Sequence, residues 1–106
     1  MTTATTSALA VESIKPHAET MRRKVAEFIA NAGANGATDE QISLGLDMNP
    51  STARPRRGEV WGFGLITDQL GERRQTASGR TAVVWHVTKA GLKALGLAGN
   101  EWCADK

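Results

Sequence analysis

Few side chains in this sequence could do chemistry on a substrate. The chain has two histidines and one cysteine. His17 and His86 are far apart, and neither stands at a spacing that would hold a metal. Both read as surface or strand residues. Cys103 has no His or Cys partner at ligand spacing, and a single cysteine excludes an internal disulfide. Asp39 and Glu40 are adjacent carboxylates, but they open a helical pattern, where acidic groups suit the positive end of the helix dipole. Gly62-Phe63-Gly64 follows a helix rather than a strand and lacks the rest of a phosphate-loop fingerprint. These patterns point away from an enzyme, and no cofactor and no metal is expected.

What remains is a basic, hydroxyl-bearing string, Asn49-Pro50-Ser51-Thr52-Ala53-Arg54-Pro55-Arg56-Arg57-Gly58-Glu59-Val60-Trp61-Gly62-Phe63-Gly64-Leu65-Ile66. Arginine forks match phosphate oxygens and the guanine edge in geometry and charge. At about 100° per residue, Ala53, Val60 and Phe63 fall on one side of a helix, with Arg56 close by. Ser51, Arg54, Pro55, Gly58 and Gly62 fall on the other. The first set is expected to face a core. The second carries no bulky group except Arg54, so a DNA backbone or base edge could approach closely. Arg57 and Trp61 lie at the boundary. Pro55 is best tolerated in a first turn, which favours Thr52 as N-cap, within a start somewhere between Asn49 and Thr52. Arg56 fits two readings: a contact to DNA, or an ion pair with Asp39, Glu40 or Glu59.

The elements around this string follow from periodicity and caps. Met21, Val25, Phe28, Ile29 and Ala32 mark one apolar face of a helix beginning near Pro16 or Ala18. Arg22-Arg23-Lys24 lies off that face, as a solvated run or a phosphate contact. Gly33-Ala34-Asn35-Gly36 ends the helix. Thr38-Asp39-Glu40-Gln41 is a capping box opening a short helix whose apolar contacts are Ile42, Leu44 and Leu46. Leu46-Asp47-Met48-Asn49 is a tight connection, giving the order of a helix-turn-helix. Two strand-like runs, 73–77 and 80–87, flank a Ser78-Gly79 turn and read as a β-hairpin. Val83, Trp85 and Val87 alternate, so one face of the second strand is expected to be buried. Thr88 caps a last short helix with Leu92 and Leu95 inward. Trp102, beyond it, either lies back on the domain or serves a dimer contact.

Bulk properties agree with one domain. The chain has 106 residues, 41% hydrophobic and 23% charged, with a net charge of +2. That balance does not by itself announce a nucleic-acid partner. Residues 54–80, however, hold six arginines against three carboxylates. A local excess of this kind is the footprint of an anionic partner or a solvated basic surface. No apolar run approaches the roughly 20 residues needed to span a membrane. The Thr/Ala/Ser-rich start lacks the pattern of a secretory signal. The cysteine usage suits a reducing cytoplasm.

In element order the sequence resembles a winged helix-turn-helix domain of the MarR-like type, and more narrowly small phage and prophage proteins of that class. The resemblance rests on Gly36-Ala37-Thr38-Asp39-Glu40-Gln41-Ile42, Ser51-Thr52-Ala53-Arg54-Pro55-Arg56-Arg57 through Gly64-Leu65-Ile66, Arg73-Arg74 with Thr76, Ser78-Gly79-Arg80 and Val84-Trp85. It implies an α+β, mostly α fold: a three-helix core, a β-hairpin wing and a short C-terminal helix. Residues 1–15 would be an arm, 16–97 the winged-helix domain and 98–106 a tail. It also implies binding to double-stranded DNA, with the third helix in the major groove and the wing on the backbone or minor groove. The expected contacts are Ser51, Thr52, Arg54, Arg56 and Arg57 from the helix, and Arg73, Arg74, Thr76, Ser78 and Arg80 from the wing. A phage transcriptional regulator in a bacterial host cytoplasm is the expected role. The alternatives are a module that redirects a host protein, with Trp61 and Trp102 as anchors, and an accessory factor for replication or excision. MarR-type proteins dimerise through long terminal helices. Here the terminal segments offer little length for that, and they are the candidates for a homodimer contact.

Overall fold

The computed structural model of the protein describes residues 19–97 and 102–104. Helix α1 is helical from residue 19 to residue 32. The start expected near Pro16 and the arm lie outside the described residues. Val25, Ala26, Ile29 and Ala30 are buried, with Met21 and Phe28 packed against them. The apolar stripe is therefore the expected one, widened by two alanines. A 3-10 turn, Gly33–Asn35, follows, with positive φ at Gly33 and Gly36.

Helix α2 spans Asp39–Gly45 and opens on the expected capping box. The Gln41 N–H donates to Thr38 Oγ1 at 3.1 Å, and the Thr38 N–H donates to Gln41 Oε1 at 3.0 Å. Two otherwise orphaned amide donors are satisfied in this way. Ile42 is buried and Leu46 packs against the core, but Leu44 is 74% exposed, against expectation. It lies two residues, about 200°, around the helix from Ile42, on the side away from the core.

Helix α3 spans Pro50–Gly62, and its N-cap is Asn49 rather than Thr52. The Asn49 side chain accepts the Ser51 N–H at 2.9 Å, and Pro50 takes the first helical position. Proline there loses nothing, because that N–H has no intrahelical partner. Pro55 consequently sits inside the helix. Its missing N–H leaves only the Ser51 carbonyl unpaired, and both residues are exposed, so water can serve that oxygen. Ala53 and Val60 face the core as expected, whereas Phe63 is the C-cap residue and is 64% exposed. The Arg22 guanidinium lies 5.8 Å from its ring centroid.

Four short strands are present among the described residues: β1 Ile66–Thr67, β2 Arg73–Gln75, β3 Thr81–Val83 and β4 His86–Val87. Strands β2 and β3 form the hairpin, antiparallel, with Arg73, Arg74 and Gln75 opposite Val83, Ala82 and Thr81. Strands β1 and β4 pair separately, with Ile66 opposite Val87 and Thr67 opposite His86. The single strand expected over 80–87 is thus broken at Val84, and Trp85 bridges to Ala37 instead. Residues 84–87 pass from the hairpin into the centre of the domain and are all buried, so the expected one-sided burial gives way to burial on both faces. Of the surface and strand readings, His86 takes the strand one: it lies in β4 and is fully buried. Its Nε2 lies 3.2 Å from the Ala34 carbonyl and 3.3 Å from Glu72 Oε1.

Helix α4, Lys89–Leu95, is capped by Thr88, whose hydroxyl accepts the Gly91 N–H and donates to the Gly64 carbonyl. Leu92 and Leu95 are buried, as expected. Trp102 lies back on the domain, its ring centroid 5.5 Å from that of His86, and the Ala104 N–H donates to the Val87 carbonyl at 2.8 Å. Core, hairpin and helix order define a winged helix-turn-helix, mostly α, with β2–β3 as the wing.

Candidate nucleic-acid interface

The outer face of α3 is short and open. Nothing lies within 4 Å of a Cβ built on Gly58 or Gly62. Arg54 and Pro55 are exposed on the same helix. Arg54 makes no ion pair or side-chain hydrogen bond among the described residues. Its neighbour Ser51 is exposed and donates through its hydroxyl to Asn49 Oδ1 at 2.8 Å, so it helps fix the start of the helix. Thr52 is half-buried on the first turn.

The other two expected arginines of α3 are committed within the domain. Arg57 donates from Nε and Nη2 to the two carboxylate oxygens of Asp39, both at 2.8 Å. Its guanidinium also lies 4.6 Å from the Trp85 ring centroid, and Trp61 meets Trp85 edge-on at 5.1 Å. Arg56 donates to Glu59 Oε2 at 2.8 Å, and Arg22 of α1 donates to Glu59 Oε1 at 3.1 Å. Of the two readings open for Arg56, the structure places it in an ion pair, with Glu59 as the partner. The Arg22-Arg23-Lys24 run is partly engaged as well, since Arg23 pairs with Glu27 at 2.9 Å.

The wing divides in the same way. Arg73 and Arg80 are exposed, without side-chain partners among the described residues. Arg74 alternates to the opposite face of β2 and reaches into the domain. It donates to Gln41 Oε1 at 2.8 Å, to the Asn35 carbonyl at 2.6 Å and to Glu72 Oε2 at 3.1 Å. Arg74, expected as a wing contact to DNA, is instead turned inward at its register opposite Ala82. Thr76 and Ser78 build the turn, with hydroxyls 3.0 Å apart and Thr76 Oγ1 accepting the Arg80 N–H.

Arg54 and Arg80 meet across a groove of about 680 Å³ between α2, the first turns of α3 and the hairpin. Thr76, Ser78, Leu44 and Pro50 also line it, together with Asp39 and Glu40. Sequence reasoning offered Asp39 and Glu40 as partners for Arg56, not Asp39 for Arg57 or Glu40 for the hairpin tip, and took Gln41 as a capping residue only. Their second partners stand 18 to 37 residues away, and no local pattern announces them. Among the described residues there is no cluster of His, Cys, Asp and Glu that could hold a metal, and no helix long and apolar enough to cross a membrane.

This arrangement is a winged helix-turn-helix, with an exposed third helix and an antiparallel hairpin pinned to the second helix. The chain resembles the solved structure of a point mutant of MepR from S. aureus, with a TM-score of 0.52 and 16% sequence identity, covering 92% of this chain and 72% of that one. MepR is a MarR-family winged-helix protein. At that identity the likeness shows the fold. No protein-family model and no curated protein sequence matches the chain.

Proposed function

We propose that the chain is a double-stranded-DNA-binding winged-helix protein with a regulatory role, α3 entering the major groove and the wing lying on the backbone or minor groove. One observation carries this reading. Arg54 of α3 and Arg80 of the wing, both without internal partners among the described residues, line one groove beside the glycine-opened face of α3. A helix of 13 residues, about 20 Å long, fits a major groove that admits a single helix. Arg54 would reach base edges, and Arg73 and Arg80 would hold phosphates, with Ser51, Thr52, Thr76 and Ser78 completing the backbone contacts.

The test is fluorescence anisotropy on duplex from upstream of the coding region and on scrambled duplex, across salt. With Arg54, Arg73 and Arg80 as the free guanidiniums, the log–log salt slope per protomer should be roughly −3. Tight binding to a host protein with a flat salt response on DNA would refute this reading and favour the protein-interaction module. The narrower assignment, a phage or prophage transcriptional regulator, rests on the Ser51–Arg57 string. A reporter driven by the bound promoter tests it: no change in output on expressing the protein would leave an accessory DNA-binding factor instead.

A further inference from the structure

Three consecutive side chains in the first turn of α2 each hold a different part of the proposed DNA-binding surface. Asp39 takes the fork of Arg57 from α3 through two bonds of 2.8 Å. Glu40 Oε1 accepts the backbone N–H of Ala77, at the hairpin tip, at 3.2 Å. Gln41 Oε1 accepts from Arg74, at the hairpin base, at 2.8 Å, while also closing the capping box. Successive helical side chains point about 100° apart, so one turn can reach three elements. The capping box holds that turn in place. The wing is consequently tied at tip and base to the same turn that anchors α3.

A carboxylate in the groove that also holds Arg54 and Arg80 is unfavourable for an approaching phosphate. A residue serving only as helix-dipole complement could be neutral there at little loss. We infer that Asp39, Glu40 and Gln41 are positioning residues that set the spacing between α3 and the wing, with Glu40 fixing the wing tip so that Arg80 meets the backbone without a prior ordering step. The inference rests on the DNA-binding reading above. Preorganising a contact in this way reduces the ordering cost of binding.

Two substitutions at one position separate positioning from charge. Glu40→Gln keeps a carbonyl acceptor for the Ala77 N–H and removes the charge, whereas Glu40→Ala removes both. In the free protein, amide hydrogen exchange at Ala77 should be alike in wild type and Glu40→Gln, and about fivefold faster in Glu40→Ala. On duplex DNA, Arg80→Ala should weaken binding about five- to tenfold in the wild-type and Glu40→Gln backgrounds, and only about twofold in Glu40→Ala, because an untethered tip already holds Arg80 poorly. Duplex binding in which Glu40→Gln and Glu40→Ala behave alike, in exchange and in this cycle, would overturn the positioning role while leaving DNA as the partner. Absence of any salt-dependent duplex binding by the wild-type protein would instead overturn the DNA-binding reading, and the positioning role with it.

Discussion

Replacing Arg57 by alanine should lower the melting temperature sharply, while the same change at Arg54 should leave it almost untouched. The two residues lie less than one turn apart on α3 and are chemically identical. Their surroundings are not. Arg57 and Asp39 keep only 19% and 24% of their side-chain surface exposed, and two parallel bonds of 2.8 Å join them. An exposed pair would contribute about 0–1 kcal/mol, and stripping one partner from a fully buried pair would cost about 3–5 kcal/mol. With roughly a fifth of each side chain in water, about 2–3 kcal/mol is the appropriate range between these limits. The guanidinium over Trp85 adds about 1 kcal/mol. Asp39, left alone, stays at the N-terminal turn of α2, where the helix dipole returns about 0.5 kcal/mol. The net loss is about 3 kcal/mol, or about 10–20 °C in melting temperature for a domain of this size. Arg54→Ala should stay within about 0.5 kcal/mol. Thermal and urea unfolding of the two variants, followed by circular dichroism, reads the difference directly. If Arg57→Ala melts with Arg54→Ala, and its DNA salt slope flattens by about one unit, then Arg57 serves DNA and the Asp39 fork is not what joins α2 to α3.

Two further outcomes follow from the same structure. Gly36 has φ +65° and ψ −171°, and a Cβ there would stand 2.6 Å from the Trp85 carbonyl oxygen. Gly36→Ala should therefore destabilise by about 3 kcal/mol, and an unfolding midpoint unchanged in urea would refute the claim that this crossing of the chain requires glycine. On DNA, Arg54→Ala should cost about 1–3 kcal/mol on the preferred duplex and much less on scrambled duplex; equal losses on both, measured by anisotropy, would remove the base-reading role from α3.

The parts of the fold that were legible in the sequence are those set by neighbours in the chain. Thr38 and Gln41 specify their capping box by spacing alone, as do the Ser78-Gly79 turn and the Thr88 cap. The start of α3 falls within the expected span 49–52, but at Asn49 rather than at Thr52, which the place of Pro55 taken alone favours. Asn49 as acceptor and Pro50 at the first position together outweigh one lost bond on the exposed side. Phe63 falls near the core side on a helical wheel, yet it lies past the last turn of α3, where the facing element does not continue. Leu44, two residues from Ile42 and so about 200° around α2, looks inward only if apolar type is read without the wheel.

Charge was the least legible layer, and for a definite reason. Six arginines between residues 54 and 80 read as one basic surface. In the folded chain Arg56, Arg57 and Arg74 are spent on Glu59, Asp39, Gln41 and Glu72. Composition counts charges, but the field at a surface depends on which charges have a partner, and a partner 18 or 33 residues away is set by tertiary packing. Three of the carboxylates that bring the chain close to neutral, Asp39, Glu59 and Glu72, hold these arginines in place. Asp39 and Glu40, together with the neutral Gln41 amide, are the groups inferred to set where Arg54 and Arg80 stand relative to each other. Fewer free cations held at a fixed spacing favour one geometry of duplex over bulk polyanion attraction, since the salt-dependent term is indifferent to sequence and grows only with the number of phosphates met.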